Sequence, residues 1–247
     1  VEWFDATLGV GRSCDIVSRD YVIGGRRARI WVVDGYGKDE TLERMGAFWL
    51  SLKPEDVQGI SEMQAFADRF ISFSETTVQT EVDTIVTSVL LGQSLLLVEG
   101  LSGAALVDCK EFPGRGVQEP PDGKVLRGSH DGFTENIMQN AALLRRRIRT
   151  PELTLERHQI GGRSACDVAL VYLKGEAEEA QLEILRRKLA AIDVGSIAMS
   201  QESVAECIVP KQWWNPFPKI RYTERPDVAT AAVMEGGILL IVANSAS

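Results

Sequence analysis

The alternation of apolar and polar residues predicts a β-hairpin near the start of the chain. Residues 14–33 alternate around the pair Gly24-Gly25, a pattern typical of two half-buried strands joined by a tight turn. After the hairpin, apolar residues recur at spacings of three and four, which indicates helices. The spacing predicts one helix over 38–52 and a second over 61–71. Helices and strands are therefore mixed within the first part of the chain.

The rest of the chain continues this mixture. Apolar stripes predict one helix from Ile137 to Ile148 and another from Leu182 to Ile192. An apolar helix is also expected over 83–92. Short apolar runs predict strands at 95–98, 104–107, 166–173 and 238–242. The order of these elements predicts an α/β fold.

A segment without either periodicity separates the two halves. Residues 109–133 contain three prolines and five glycines, and a structureless stretch of this length is unusual inside one compact domain. The segment is therefore interpreted as a Pro/Gly-rich linker. It divides the chain into a first subdomain over 1–108 and a second subdomain over 134–247.

The two halves also resemble each other in sequence. The helix-strand pattern that begins at Asp83 matches the pattern that begins at Asp227, in the same register and 144 residues apart. A second match relates the string Gly11 to Asp15 to the string Gly162 to Asp167, each expected just before a strand. Together the two matches predict two similar mixed α/β subdomains.

Composition and charge exclude several classes of protein. The 247 residues are 45% apolar and 25% charged, values typical of a globular chain. The net charge of −8 repels phosphate backbones, so nucleic acid is not an expected partner. The longest apolar windows, 84–98 and 236–247, are shorter than the ~20 residues that a membrane-spanning helix requires. Because the chain begins with Val1 and has no leader pattern, we expect a fragment without a secretory signal.

The residues that usually carry catalysis or bind metals are scarce. The four cysteines are far apart in sequence and form no CxxC pair, so we expect free thiols. The two histidines are His130 and His158. Ser129, His130 and Asp131 have the residue types of a nucleophilic triad, but adjacent residues cannot usually align as a triad does, and a polar turn before a helix is the better interpretation. We expect no catalytic residues, no cofactor and no metal.

Charged residues at element boundaries are the remaining candidates for a functional role. Three consecutive arginines, Arg145 to Arg147, end a predicted helix, where cations are favoured by the helix dipole. They are either solvated helix-end residues or a contact for another subunit, an acidic partner or anionic lipid. Glu224 and Arg225 precede another helix, and we expect Glu224 to pair with one of the arginines. The candidate structural or partner-contact residues are Arg127, Glu135, Arg145, Arg146, Arg147, Glu224 and Arg225.

Four strings, in this order along the chain, carry a family resemblance. They lie at 127–136, 144–149, 215–218 and 222–227, and the last two read Asn-Pro-Phe-Pro and Tyr-Thr-Glu-Arg-Pro-Asp. Together they resemble the soluble N-terminal region of the GerA family of spore germination proteins, the A-subunit type of germinant receptor. His130 departs from the pattern, because related sequences often carry Arg there, and a charge role at this position is therefore doubtful.

The resemblance implies a role in spore germination rather than catalysis. It implies the cytosolic domain of a spore inner-membrane protein, attached to a C-terminal membrane region that is absent from this chain. It also implies assembly with other membrane subunits into an ion-conducting germination complex, with a homo-oligomeric full-length protein. The polar strings are hallmarks of the family, but the resemblance assigns no ligand chemistry to individual residues in them.

Two alternatives from other classes stay open at this point. The first is a small-molecule-binding module with its ligand site between the two subdomains, because ligands commonly bind between two lobes. The second is a hydrolase or transferase, which the absence of a nucleophile-base pair and of a metal-ligand pattern disfavours.

Overall fold

The hairpin around Gly24-Gly25 is present in the computed structural model. It consists of strands β1 (Ile16–Ile23) and β2 (Arg26–Val33), which pair antiparallel over eight residues each. The structure describes residues 1–36, 39–110, 131–161, 166–192, 201–209 and 220–243. Contacts divide the chain into two units, Val1–Pro113 with Arg149–Pro151, and Gly114–Ile148 with Glu152–Ser247. The predicted linker lies outside the described residues over 111–130.

The first unit is built on a five-stranded antiparallel sheet, in which β2 is followed by β4 (Ser94–Val98), β5 (Ala104–Val107) and β3 (Thr76–Gln79). The strand order is therefore β1-β2-β4-β5-β3. Trp49 and Phe66, from two of its helices, pack against one face of the sheet, which contributes Ile30 and Leu96. Because neighbouring residues of a strand point to opposite faces, Trp31 and Leu95 lie on the other face. The remaining elements are α1 (Glu2–Leu8), α2 (Asp39–Ser51), α3 (Met63–Phe70) and α4 (Val82–Leu90).

The second unit contains a three-stranded antiparallel sheet of β6 (Leu153–Ile160), β7 (Cys166–Leu173) and β8 (Leu239–Val242), in this order. Leu189 and Val204, from helices that follow the hairpin, pack on the face formed by Val168 and Val242. The remaining elements of this unit are α5 (Ile137–Arg147), α6 (Glu179–Ala190), α7 (Gln201–Ile208) and α8 (Pro226–Met234).

The two units repeat one arrangement, which confirms the predicted pair of similar mixed α/β subdomains. Each has a helix, a hairpin of two eight-residue strands and two more helices. A further helix then leads to a strand that pairs with the second strand of the hairpin. The registers agree as well, because Leu95 lies opposite Trp31 in the first unit and Leu239 lies opposite Val171 in the second. β3 and β5 have no counterpart among the described residues of the second unit.

The second sequence match does not belong to this repeat. Cys14 and Asp15 precede β1, the first strand of its hairpin. Cys166 and Asp167 begin β7, the second strand of its hairpin. The two strings therefore stand at different places in the repeated unit, although residues 162–165 lie outside the described part of the chain.

Two further features bear on the sequence predictions. Gly9 ends α1 in the left-handed conformation, with φ of 80°. Within the described ranges, no helix combines the length and the apolar character that a bilayer crossing requires.

The hairpin turn gives a test of the fold. Gly24 has φ of 53°, and a Cβ atom there would lie 2.9 Å from the carbonyl oxygen of Lys53 and closer still to Val57. We expect Gly24→Ala to lower the free energy of unfolding by about 2–4 kcal/mol, since backbone strain and a steric clash add. The measurement is urea denaturation of the chain. Gly25→Asn is the matched control, because a Cβ there meets Pro54 at 3.6 Å and asparagine tolerates a left-handed backbone; equal losses in both variants would contradict the expectation.

Candidate functional site

The candidate residues that the structure describes lie around helices α5 and α8 of the second unit. Glu135 precedes α5, Arg145 to Arg147 form its last turn, and Glu224 and Arg225 precede α8. The two helices contact each other. Arg127 lies outside the described residues, as do Ser129 and His130.

The start of α5 is fixed by asparagine and threonine side chains. Asn136 caps the helix, and its Oδ1 accepts the N–H groups of Met138 at 2.8 Å and Gln139 at 3.3 Å. Thr134 N–H donates to Asn140 Oδ1 at 2.7 Å, and Asn140 Nδ2 donates back to the Thr134 carbonyl at 2.6 Å. This reciprocal pair is buried, where an unmade hydrogen bond would cost about 1–3 kcal/mol. The pair therefore holds the entering chain firmly against the helix.

A backbone hydrogen bond joins the two polar strings, which are far apart in sequence. Phe133 N–H donates to the carbonyl oxygen of Glu224 at 2.9 Å. The Phe133 side chain is buried. The segment that enters α5 is therefore attached to the segment that enters α8 by main-chain atoms, which substitution of the Glu224 side chain leaves in place.

The three consecutive arginines of α5 lie in three different environments. Arg145 is only 1% exposed, and its Nη2 donates to the carbonyl oxygen of Leu153 at 2.9 Å, at the first residue of β6. Arg147 is partly buried and forms an ion pair with Asp131 at 3.1 Å. Arg146, between them, is exposed. Successive helix residues are turned by about 100°, so a run of three cannot share one environment.

Arg225 pairs with the first turn of α8. Its guanidinium contacts Asp227 at 2.6 Å and 3.1 Å. This hydrogen bond lowers the pKa of the Asp227 carboxyl below its ordinary value, against the opposing effect of burial. Among the described residues, Glu224 forms no ion pair with an arginine of α5, so the expected pairing is not observed. Asp227, two residues further on, is the carboxylate that Arg225 can reach.

A shallow depression of about 400 Å³ opens beside the start of α5. Residues 134–139 form one side, and Arg157, Asp167 and Ala243 form the other. Arg157 and Asp167 are paired at 2.6 Å across neighbouring strands. The exposed Glu135 also lines this depression. The N–H groups at the start of α5 are already bonded to Asn136, and Arg157 is already paired with Asp167.

Sequence reasoning missed a second charged cluster in this unit. Arg186 of α6 contacts Glu156 of β6 at 2.7 Å and Glu179 at 2.8 Å. Tyr172 OH donates to Glu156 at 2.6 Å, and burial, followed by this hydrogen bond, raises the pKa of Tyr172 to about 12. The residues of this charged cluster are up to 30 positions apart in the sequence, so no local spacing links them.

Thiols and metal-ligand groups are placed as follows. Cys109 and Cys166 are buried, Cys14 is partly buried and Cys207 is exposed. Burial raises the pKa of the Cys166 thiol. In the part of the chain that the structure describes, no three His, Cys, Asp or Glu side chains are grouped to hold a metal ion.

Comparison with known sequences matches almost the whole chain to one family. The family model described as "Bacillus/Clostridium GerA spore germination protein" matches residues 4–247. The chain is 34% identical over 246 residues to stage V sporulation protein AF of Bacillus subtilis (strain 168), covering 100% of this chain and 50% of that protein. It is 27% identical over 234 residues to the uncharacterized membrane protein YfkQ of the same strain, covering 94% of this chain and 44% of that protein. The chain thus spans about half the length of these relatives.

A solved structure is similar over almost the entire chain. It is the crystal structure of the N-terminal domain of the A subunit of the Bacillus megaterium spore germinant receptor GerK3. The TM-score is 0.71 at 26% sequence identity, and the match covers 98% of this chain and 88% of the other. The similarity therefore includes both units of the fold.

The adjacent arginines give a stability test with an internal control. Arg145→Ala removes the donor to the buried Leu153 carbonyl and leaves a space beside it, so we expect a loss of about 2–4 kcal/mol in the free energy of unfolding. Arg146→Ala changes an exposed side chain of the same helix and is expected to cost less than about 1 kcal/mol. Denaturant unfolding of both variants measures the difference. Similar small losses in both would show that Arg145 does not anchor the helix.

The Arg225–Asp227 pair predicts a dependence of stability on pH. Because the folded-state pKa of Asp227 is lowered, the stabilisation is present above the unfolded-state pKa of about 3.9 and disappears as the pH falls through the folded-state value. We expect the melting temperatures of the wild type and Asp227→Asn to differ near neutral pH and to converge in acid. Glu135→Gln controls for the removal of one carboxylate from the same region. A difference that stays constant down to the acid limit would contradict the assignment.

Proposed function

The chain belongs to the GerA family of spore germination proteins, and we propose that it is the cytosolic N-terminal domain of a germination protein of the spore inner membrane. In this role the domain serves the assembly of a germination complex, or signalling within it, and performs no catalysis. The observation that carries the proposal is the match over 98% of the chain to the N-terminal domain of a receptor A subunit. An A subunit works beside other subunits, which supports a binding role.

The membrane part of the proposal rests on the relatives' length and on one of their names. The chain covers 50% of one relative and 44% of another, and the latter is named a membrane protein. We assign the membrane region to the part of the full-length protein that follows this domain. The full-length protein is proposed to be homo-oligomeric, and to form an ion-conducting complex with other membrane subunits.

The use of charged residues around α5 supports contact with a partner. Arg145 is buried, and Arg147 and Arg225 are partly buried; they contact Leu153, Asp131 and Asp227 respectively. Arg146 and Glu135 are exposed at opposite ends of the same helix. Arginine is enriched among residues that dominate binding energy at interfaces. Because its side chain is exposed, Arg146 is the residue that we propose for partner contact, and Glu135, exposed at the other end of the helix, is a second candidate.

The test separates partner contact from folding. Arg146→Ala in the full-length protein is expected to slow germination of spores and to reduce co-purification of the other subunits, while the melting temperature of this domain changes little. A side chain that dominates an interface is worth about 2 kcal/mol, or about thirtyfold in affinity. Germination rate and the yield of the purified complex are the measurements.

Arg187→Ala is the matched control for this test. Arg187 is also exposed and lies in the last turn of a helix of the same unit, α6. We expect this variant to germinate and to assemble as the wild type does. Normal germination and assembly of the folded Arg146→Ala protein would overturn the proposed contact. The alternative of a small-molecule site between the two units stays a prediction, which calorimetry with amino acids, sugars and nucleosides would test.

A further inference from the structure

The repeat reveals a difference between two equivalent strands, β4 and β8. β4 pairs with β2 on one side and with β5 on the other. β8 pairs with β7 on the side that corresponds to β2. Along its other side, no strand is present among the residues that the structure describes.

Backbone hydrogen bonds show which atoms of β8 face this open side. Glu99 N–H donates to the Arg27 carbonyl at 2.7 Å, and the equivalent Ala243 N–H donates to the Asp167 carbonyl at 2.9 Å. Hydrogen-bonded and non-hydrogen-bonded pairs alternate along an antiparallel ladder. Counting back from Ala243, Ile241 and Leu239 therefore face β7, whereas the N–H and carbonyl of Leu240 face away from it. The equivalent residue of β4, Leu96, faces β5 and lies opposite Ala105.

The side chains of β8 are covered less well than those of β4. Leu95 and Leu96 are 0% exposed. Their counterparts Leu239 and Leu240 are only partly buried. An apolar strand with an open backbone edge is a template for pairing with another strand. Judged by the described residues, the edge of β8 therefore has both features of a strand-docking site, backbone groups that no other strand pairs with and incompletely covered leucines.

We propose that the open edge of β8 is completed by a short apolar strand that follows β8 in the full-length protein, as β5 follows β4. β4 and β5 form a hairpin through the five residues 99–103, and all four residues of β5 are buried. With the spacing of 144 that relates β4 to β8, the place of β5 falls directly after residue 247. The relatives are about twice as long as this chain, so they contain such a position.

This assignment rests on the proposed function in one respect, namely that the domain is the N-terminal part of a longer protein. We prefer the chain's own continuation to a strand from another molecule, because a hairpin strand is held close by its short turn and loses little loop entropy on pairing. The strand would be short, antiparallel and apolar, with small residues favoured as in Ala104 and Ala105. It would link the sheet of the second unit directly to the region that follows.

Amide hydrogen exchange tests the proposal residue by residue. The chain of 247 residues is compared with the same chain extended by about 15 residues of the full-length sequence. We expect the Leu240 amide to exchange about tenfold more slowly in the extended chain, because its N–H gains a partner. The Leu239 and Ile241 amides already face β7 and serve as internal controls. Two prolines placed in the extension should abolish the added protection, since proline cannot donate to the ladder.

Two results would overturn the proposal. One is equal exchange of Leu240 in the short and extended chains. The other is protection of Leu240 in the short chain that increases with protein concentration, which would identify a second copy of the chain as the occupant. The experiment needs no spores and no partner subunits. A failure of the Arg146 variant to affect germination would therefore leave this result standing, and the reverse also holds.

Discussion

The pairing of one central strand in each unit is the constraint from which the rest of the fold follows. β2 and β7 each have a hairpin strand on one side and the strand after the last helix on the other. Because side chains alternate with a period of two, a slip of one residue would exchange the faces of Ile30 and Trp31 in β2, or of Leu170 and Val171 in β7. The same register in both units therefore fixes which residues face the helices. The candidate residues that the structure describes lie at the ends of α5 and α8.

The two units attach the helix before their hairpin in different ways. In the first unit, Asp5 of α1 accepts a hydrogen bond from Trp31 Nε1 at 2.8 Å and also pairs with Arg29, both on β2. In the second unit, Arg145 of α5 donates to the main chain at the start of β6. A buried charge is tolerated only where its hydrogen bonds are made, so each solution couples the helix to the sheet. In the first unit the helix supplies an acidic acceptor, Asp5, and in the second it supplies a basic donor, Arg145. The two units therefore share the arrangement of elements but not the charged contact.

Periodicity predicted most of the elements, and the failures have physical reasons. The strand over 166–173 and the hairpin around Gly24-Gly25 were predicted because their apolar patterns are long and bounded by turns. β6 was missed because Glu156, Arg157, His158 and Gln159 interrupt its apolar pattern with four consecutive polar residues. β3 was missed because its four residues include one apolar side chain, whereas the equally short β5 is entirely apolar. The short helices α1 and α7 were also missed.

The location of the candidate site could be predicted from the sequence, but its pairing could not. The strings around α5 and α8 were identified from the sequence. The partner of Arg225 was not, because it depends on which carboxylate the side chain can reach, and sequence spacing does not show this. One signal for Arg145 was present. It lies four residues after Ala141 and eight after Ile137, on the apolar stripe of the helix, so its burial follows from helical geometry.

The two sheets differ at the strand that follows the last helix of each unit. The first sheet is extended by β5 and β3. The edge of β4, which is equivalent to the edge of β8, is therefore paired with β5. The described part of the second sheet stops at β8, the last strand before the end of this chain. The second unit also carries α5 and α8, where Arg146 is exposed, Arg145 is buried and Arg147 is partly buried. The exposed arginine and the strand edge that lacks a partner among the described residues therefore occur in the same unit.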